Sequence, residues 1–377
     1  MDVRQKIQLL GESAQYDICV ACGANEHRQV DDLGRWIYPA VLPDGRRVSL
    51  LKVLQTNACH NNCYYCAQRA SRDNRRTAFS PDELAATFDQ MHRRGLVKGL
   101  FLSSALAGNA AASMDRCLAT VELLRRRYQF QGYIHLKLLP GVSMAHVEQA
   151  VRLATRVSVN LEAPSPAHLE RIAPDKAFSD LVKPMIWAHD LTVASGRALV
   201  PGGQTTQFVV GAAGESDREI LGVTSDLYRQ VNLRRAYFSA FQPVPGTPLE
   251  GLPATRPLRE YRLYQSDFLM RQYGFGSHEL VFDGEGNLPF EADPKRIWAQ
   301  HHPERFPIEI NRACWEELIR VPGIGPRSAR RIVNARRRGT LRTLQDLQRM
   351  GVASERSAPY VLLGGRRPAY QLSLWAS

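Results

Sequence analysis

The feature that most constrains the fold of this chain is a regular alternation between short apolar segments and helical patterns. Six segments rich in apolar and β-branched residues recur along the sequence, at 49–56, 99–104, 133–139, 157–163, 206–211 and 236–242. Helical patterns fill most of the gaps between them. Strands that alternate with helices are typical of a parallel sheet. The sequence therefore predicts an α/β fold, either an open sheet or a partial barrel.

Capping residues mark where two of these helices begin. Ser80 precedes Pro81 and stands three residues before Glu83, which is the pattern of an N-cap with proline in the first turn. A further helix is expected to begin near Ser216, because acidic residues occupy its first turn. In folds of this class the functional site lies at the carboxyl ends of the strands. Residues that follow the predicted strands are therefore the ones to inspect.

Three cysteines follow the first predicted strand, in the stretch TNACHNNCYYC. Cys59, Cys63 and Cys66 have the spacing C-x3-C-x2-C. The N-terminus is polar, and no segment approaches the roughly 18 uninterrupted apolar residues of a membrane span, so we expect a cytoplasmic protein without membrane contact. In such a chain, an odd total of seven cysteines with three in one loop indicates metal ligation rather than disulfides.

The number of cysteine ligands restricts which kind of metal site this loop can form. A structural zinc site needs four protein ligands, and this loop supplies three. A cubane iron–sulfur cluster held by three cysteines keeps one iron without a protein ligand, and that iron is open to a substrate or cofactor. A zinc site or an inert cysteine cluster completed by other residues remains the alternative.

The cysteine spacing resembles the signature of the radical S-adenosylmethionine superfamily, including the aromatic Tyr65 just before the last cysteine. The resemblance implies a partial (β/α)6 TIM-like barrel that binds a [4Fe-4S] cluster through the three cysteines. It also implies S-adenosylmethionine as the second cofactor, cleaved to a 5′-deoxyadenosyl radical with an electron from a low-potential donor such as flavodoxin or ferredoxin. The radical chemistry belongs to the cofactors, while the protein positions them and excludes water.

The same resemblance implies contacts with S-adenosylmethionine at the ends of the later strands. Where the family usually has a glycine-rich turn, this chain has hydroxyl residues, and the fourth strand ends in NLEAP. A buried, hydrogen-bonded strand end would explain these polar residues equally well. The fifth strand resembles an element whose backbone follows the adenine, and the sixth would line the pocket floor. The residues expected to contact the cofactor are Tyr65, Ser103, Ser104, Asn160, Glu162, Val210, Gly211 and Gln242.

The C-terminal region is strongly basic and resembles a helix-hairpin-helix module. From Arg312 onward the chain has 13 arginines, no lysine and 4 acidic residues, a net charge of +9 within a total of +12. Gly323 and Gly325 would let the backbone approach a phosphate, because no Cβ intervenes. The start of the next helix would then offer N–H donors to it. Arg327, Arg330 and Arg331 surround this position. A hairpin used only for packing or protein contact is the alternative.

A second basic stretch, AQRASRDNRRTAF, follows the cysteines. Its arginines, above all Arg75 and Arg76, could form a basic lip that admits a phosphate-bearing substrate, or they could be ordinary solvated charges. With the basic C-terminal region present, we favour the first interpretation and expect a nucleic-acid partner. DNA is favoured over RNA.

Taken together, the motifs resemble the DNA modification/repair group of radical S-adenosylmethionine proteins. We expect an N-terminal extension over 1–48, a radical core over 49–250, a helical extension and linker over 251–305, and a small all-α nucleic-acid-binding domain over 306–377. Two alternatives stay open. One is a radical enzyme that modifies structured RNA, and the other is an iron–sulfur redox sensor that binds DNA without turnover. The sequence identifies no catalytic acid or base.

The remaining cysteines are expected to be local or buried. Cys19 and Cys22 have a metal-ligand spacing, but they lack the further donors that a second site would need. Cys117 lies inside a helical pattern, and Cys314 lies near the basic region. Both are predicted to belong to the core.

Overall fold

The computed structural model describes residues 1–14, 37–41, 47–196 and 199–369, so Cys19 and Cys22 lie outside the described residues. The chain divides into two compact units, Met1–Glu260 and Tyr261–Ser377, called here the first and second unit. No helix of the described residues is long and apolar enough to cross a membrane.

The first unit is built on a seven-stranded sheet whose strand order follows the sequence. The first two strands are antiparallel, and every later pair is parallel. The strands are β1 (Ile37–Val41), β2 (Arg47–Leu54), β3 (Gly99–Ser103), β4 (Tyr133–Lys137), β5 (Arg156–Ser158), β6 (Gln204–Val210) and β7 (Arg235–Ala240). Strands β2 to β7 correspond to the six predicted strands.

The helices are α1 (Val3–Ala14), α2 (Pro81–Arg93), α3 (Ala110–Arg126), α4 (Met144–Leu153), α5 (Pro166–Ile172), α6 (Phe178–Ala194) and α7 (Asp217–Gln230), and α8 (Pro257–Tyr273) continues into the second unit. Helices α2 to α7 connect the parallel strands. Sequential parallel strands with helical crossovers form the partial (β/α)6 barrel that the sequence predicts.

Local sequence explains where these helices begin. Ser80 caps α2 and forms a reciprocal capping box with Glu83, and Ser216 does the same for α7 with Glu219. Between the helices, the strands read as apolar runs because both faces of a parallel sheet are covered. Leu51 and Leu100, on adjacent strands, are fully buried.

Strand β5 is shorter than predicted. The sequence predicts a strand over 157–163, but β5 ends at Ser158. The chain leaves the extended conformation before Glu162, whose φ of +66° is left-handed. A single parallel bridge to Phe208 then holds Glu162 beside β6. The departure from the strand places this carboxylate at the carboxyl edge of the sheet.

The second unit is mostly helical and has its own apolar core. Fully buried side chains include Ile310, Leu318, Val321, Ile332 and Leu347. Two strands of two residues each pair in parallel beside this core. Its elements after α8 are α9 (Pro294–His301), β8 (Ile308–Glu309), α10 (Trp315–Leu318), α11 (Pro326–Ala335), α12 (Leu344–Arg349), α13 (Ser354–Ser357) and β9 (Val361–Leu362).

Candidate active site and nucleic-acid-binding hairpin

A cavity of about 550 Å³ opens at the carboxyl ends of the parallel strands of the first unit. This volume is within the usual range of small-molecule sites, about 300–1,000 Å³. The cavity brings together residues that are far apart in the sequence. The predicted site residues that line it are Cys59, Cys63, Cys66, Tyr65, Ser103, Ser104, Asn160, Glu162 and Gln242.

The three cysteines lie on the loop that follows β2, residues 55–78, called here the cysteine loop. The amide of Cys66 donates to the carbonyl of Cys63 at 3.2 Å, so the second and third cysteines share one tight turn. The amide of Gln68 donates to Cys66 Sγ at 3.3 Å. Thiolates that ligate iron–sulfur clusters are stabilised by hydrogen bonds of this kind. Three thiols on one cavity wall, one with an N–H donor, are a donor set that fits a [4Fe-4S] cluster.

Arg76 stabilises the cysteine loop through hydrogen bonds to its main chain. Its Nη1 donates to the carbonyls of Asn57 (2.6 Å) and Gln68 (2.9 Å). Its Nη2 donates to the carbonyls of Arg69 (2.6 Å) and Arg72 (3.1 Å). The guanidinium therefore uses its donors on main-chain oxygens of the loop. Of the two arginines of this loop that were predicted to bind nucleic acid, Arg75 is exposed, and Arg76 is partly buried with these main-chain partners.

The turn between α5 and α6 also hydrogen-bonds to the cysteine loop. The amide of Tyr64 donates to the carbonyl of Ile172 at 2.7 Å, and the amide of Asn62 donates to Asp175 Oδ2 at 2.5 Å. Lys176, the next residue, reaches the cavity. These bonds fix a lysine beside the cysteines.

Lys176 forms an ion pair with Glu162 at the cavity wall, with Nζ 3.0 Å from Oε1. Burial lowers the pKa of Lys176, but Glu162 and the thiols of Cys63 and Cys66 more than offset it, so the pKa lies above its usual value. The phenol of Tyr65 hydrogen-bonds to the same carboxylate, and burial together with this negative charge raises its pKa well above the usual value. At neutral pH Lys176 is therefore an ammonium and Tyr65 a neutral phenol.

Burial also acts on the cysteine thiols. It raises the pKa of Cys63, and it raises the pKa of Cys66 to about 12. In both cases Lys176 opposes the increase. Iron binds thiolates rather than thiols, so the protons leave when the metal binds.

Of the other residues predicted to contact the cofactor, Ser103 and Ser104 line the cavity, whereas Val210 and Gly211 do not. Ser103 is buried at the end of β3, and Ser104 Oγ donates to the carbonyl of Ala105. Val210 and Gly211 are not among the residues that line the cavity, whereas the preceding Val209 is. Thr255 Oγ1 donates to the Val210 carbonyl and packs where a Cβ on Gly211 would stand. At this strand end Val209 therefore meets the cavity.

The polar residues of the cavity wall that the sequence did not predict include Lys137, Lys176 and Gln207. Lys137 ends strand β4, and a charged residue at that edge was a usable signal. Gln207 is the last polar residue of β6 before its apolar end, and no comparable signal marks it. Lys176 lies on a turn, and no sequence pattern distinguishes it from an ordinary surface lysine.

The cysteines outside the loop behave differently from one another. Cys117 is buried in α3, as predicted. The prediction that Cys314 belongs to the core is wrong, because it is exposed at the N-cap of α10.

The predicted hairpin of the second unit joins α10 to α11 through Pro322, Gly323, Ile324 and Gly325. Gly323 has a φ of +85°, and a Cβ there would stand 2.6 Å from the carbonyl oxygen of Ala353. Glycine is therefore required at this position by the backbone conformation and by packing. Gly325 is the N-cap of α11 and supplies no side-chain cap.

The first turn of α11 combines free main-chain donors with positive charge. Because Gly325 has no side chain to cap this helix, and no side-chain cap is found among the described residues, its first N–H groups are available to an anion. Arg327, Arg330 and Arg331 are exposed on the same helix. The predicted hairpin residues are thus adjacent in the structure, in an arrangement suited to a phosphate.

Comparison with known proteins identifies both regions. Residues 53–227 match the Radical SAM superfamily, and residues 305–352 match the helix-hairpin-helix motif. The biotin synthase of Heliobacterium modesticaldum is 25% identical over 247 residues, which are 63% of this chain and 71% of that protein.

Two solved structures give more distant similarities. HydG, a maturase of the [FeFe]-hydrogenase, has a TM-score of 0.47 at 13% identity, covering 59% of this chain and 49% of its own. Methylornithine synthase (PylB) has a TM-score of 0.47 at 15% identity, covering 60% of this chain and 63% of its own. The chain thus spans about half to two thirds of these two structures.

The chain therefore contains a Radical SAM superfamily domain and a helix-hairpin-helix motif. Enzymes of this superfamily cleave S-adenosylmethionine reductively with a [4Fe-4S] cluster. The predicted fold class, the radical SAM enzyme class and this pair of cofactors are confirmed at the level of the superfamily.

Proposed function

We propose that this chain is a radical S-adenosylmethionine enzyme that modifies or repairs a nucleotide in DNA. The observation that carries the proposal is the coexistence of two sites in one chain. One is a cavity of about 550 Å³ that contains all three thiols of the C-x3-C-x2-C signature. The other is an uncapped helix start with three exposed arginines, in a region of net charge +9.

In the proposed assignment, Cys59, Cys63 and Cys66 hold the cluster, and Tyr65 lies beside the bound S-adenosylmethionine. When bound, the two cofactors supply a 5′-deoxyadenosyl radical after one-electron reduction by a low-potential donor such as flavodoxin or ferredoxin. The strand-end residues orient the cofactor, and the apolar lining excludes water from the radical. The reacting atom of the substrate must then reach the cavity.

The position of the cavity limits how a nucleic acid can be presented. A cavity at the strand ends cannot reach an atom inside a stacked duplex, so the nucleotide has to be extruded or already unpaired. Extrusion costs a few kcal/mol and least at mismatched, damaged or single-stranded positions. The hairpin contacts backbone phosphates, which supply affinity and register rather than sequence preference. Lesion-bearing or single-stranded DNA is therefore the substrate class that we favour.

The test has two parts, and both use the full chain. Anaerobic reconstitution with iron and sulfide, followed by reduction in the presence of S-adenosylmethionine, should yield 5′-deoxyadenosine. A protein that binds a cluster and DNA but forms none would be a redox-sensing DNA-binding protein. Competition between duplex DNA, single-stranded DNA and structured RNA at a stated salt concentration separates the partners. Preferential binding of structured RNA would replace DNA as the substrate class.

A further inference from the structure

The ion pair between Lys176 and Glu162 is unusual in its position. The two side chains are only 12% and 6% exposed, and both line the cavity that contains the cysteines. Burying two charges has a high desolvation cost, so a buried ion pair is weak evidence for a purely stabilising role. A charge pair on the wall of an active-site cavity calls for a functional explanation.

The carboxylate is held rigidly. Glu162 has a left-handed φ of +66°, a conformation that a non-glycine residue keeps only where the surrounding structure enforces it. Two main-chain bonds to β6 do so: the amide of Glu162 donates to Gln207 at 2.9 Å, and the amide of Val209 donates to Glu162 at 2.8 Å. The side chain is thereby fixed at the strand end.

The ammonium is fixed against the cysteine loop. Lys176 follows Asp175, which accepts the amide proton of Asn62 from within that loop. The carbonyl of Ile172 accepts from Tyr64 at 2.7 Å in the same turn. A movement of the cysteines relative to Lys176 would break these bonds.

The two charges are tied to different parts of the cavity wall. Lys176 belongs to the turn that hydrogen-bonds to the cysteine loop, whereas the main-chain bonds of Glu162 go to β6. The cation is therefore the member of the pair that is fixed against the cysteines.

We propose that Lys176 is a positioning residue that raises the reduction potential of the cluster held by Cys59, Cys63 and Cys66, and that Glu162 limits this effect. The inference rests on the proposed function, since it assigns the cluster to these cysteines. Reduction adds one electron to the [4Fe-4S]²⁺ state and gives [4Fe-4S]⁺. A fixed cation nearby stabilises the added negative charge, because charge interactions are strong where water is excluded.

The test is a redox titration of the reconstituted full chain without S-adenosylmethionine, using dithionite as reductant and electron paramagnetic resonance to count the reduced cluster. Glu162→Gln should make the cluster easier to reduce. Adding Lys176→Met to that variant removes the cation without leaving an unpaired carboxylate. Relative to Glu162→Gln, the double variant should show about a tenfold lower ratio of reduced to oxidised cluster at a given potential, equivalent to about 59 mV for one electron.

Two controls distinguish charge from structure. Lys176→Arg keeps the charge and should keep the wild-type potential. Lys183→Met removes an exposed lysine from α6 and should leave it unchanged. Removing the anion should raise the reduction potential, and then removing the cation should lower it. A general loosening of the site would not shift the potential in opposite directions.

Several results would overturn the inference. A double variant with the same potential as Glu162→Gln would do so. A potential that is unchanged while S-adenosylmethionine binds more weakly would assign Lys176 to the cofactor's carboxylate instead. If wild-type protein assembles no reducible cluster, the proposed function fails with the inference. If it assembles one and cleaves S-adenosylmethionine but the potentials coincide, the inference fails alone.

Discussion

The ammonium of Lys295 donates a 2.6 Å hydrogen bond to the carbonyl oxygen of Ile324, inside the hairpin turn that precedes α11. Lys295 is 7% exposed, and its Nζ lies 4.7 Å from the ring centre of Tyr273. Burial lowers its pKa to about 7, with Asp293 opposing the shift and Arg356 and Arg320 adding to it. A titrating group therefore lies directly beneath the proposed phosphate-binding turn.

We predict that the hairpin becomes more stable as the pH rises from about 7 toward 10.5. The folded-state pKa of Lys295 lies below its ordinary value of 10.5, so the folded chain binds fewer protons than the unfolded chain in this window. Stability rises with pH wherever the unfolded state binds more protons. Hydrogen exchange of the α11 amides, corrected for intrinsic rates, measures this directly. Lys295→Met should flatten the pH dependence, and an unchanged slope would refute the assignment.

Each cysteine of the loop should be needed for the cluster. Cys59→Ala, Cys63→Ala and Cys66→Ala should each lose most of the bound iron and abolish 5′-deoxyadenosine formation, because alanine offers iron no ligand. Iron and sulfide analysis of anaerobically reconstituted protein measures the first effect, and chromatography measures the second.

The exposed Cys314 supplies the matched control, since Cys314→Ser should retain the iron and the activity. If the variant lacking all three loop cysteines kept its full iron content, the ligands would have to include Cys19 and Cys22.

The arginines of α11 should contribute to nucleic-acid affinity without affecting the cluster. Replacing Arg327, Arg330 and Arg331 with glutamate should weaken DNA binding by at least about tenfold and reduce its salt dependence, because fewer phosphates are neutralised. Fluorescence anisotropy over a salt series measures both. Arg349→Glu, which changes an exposed arginine of α12, should have a smaller effect. Equal losses in the two proteins would indicate a diffuse electrostatic surface rather than a hairpin site.

Arg75 and Arg76 should give different phenotypes although they are neighbours. Arg76→Ala removes the donors to four main-chain carbonyls, so it should cost roughly 2–4 kcal/mol of stability and lower the iron content. Arg75→Glu should leave both unchanged and reduce only the stimulation of cofactor cleavage by DNA. Thermal unfolding and iron analysis of the two variants test the contrast. A loss of iron in Arg75→Glu would place both arginines in the support of the loop.

The sequence predicted the elements of the fold more fully than the details of the site. Strand alternation and the caps at Ser80 and Ser216 are local signals, and the structure contains the corresponding elements. The cysteine loop could be identified from the sequence, because the spacing between its three cysteines can be read there directly. Glu162 shows the limit: its polarity was visible, but its left-handed backbone depends on bonds to β6, a segment more than forty residues away.

Arg76 and Lys176 illustrate why other roles were not predictable. In the sequence Arg76 is one of several arginines in a polar stretch, and only the folded loop shows that its guanidinium meets four carbonyls. Lys176 becomes part of the cavity because the turn after α5 is tied to the cysteine loop. Contacts between distant segments decide both roles, and no local pattern encodes them.

The most direct test of the proposed function is substrate-dependent formation of 5′-deoxyadenosine by the reduced, reconstituted enzyme. We predict more product with mismatched, lesion-bearing or single-stranded DNA than with intact duplex, since an unpaired nucleotide reaches the cavity at lower cost. The stimulation should fall in the variant with three α11 arginines replaced, while cleavage without substrate stays the same. Equal stimulation by perfect duplex, or by a peptide or small metabolite in its place, would contradict the account.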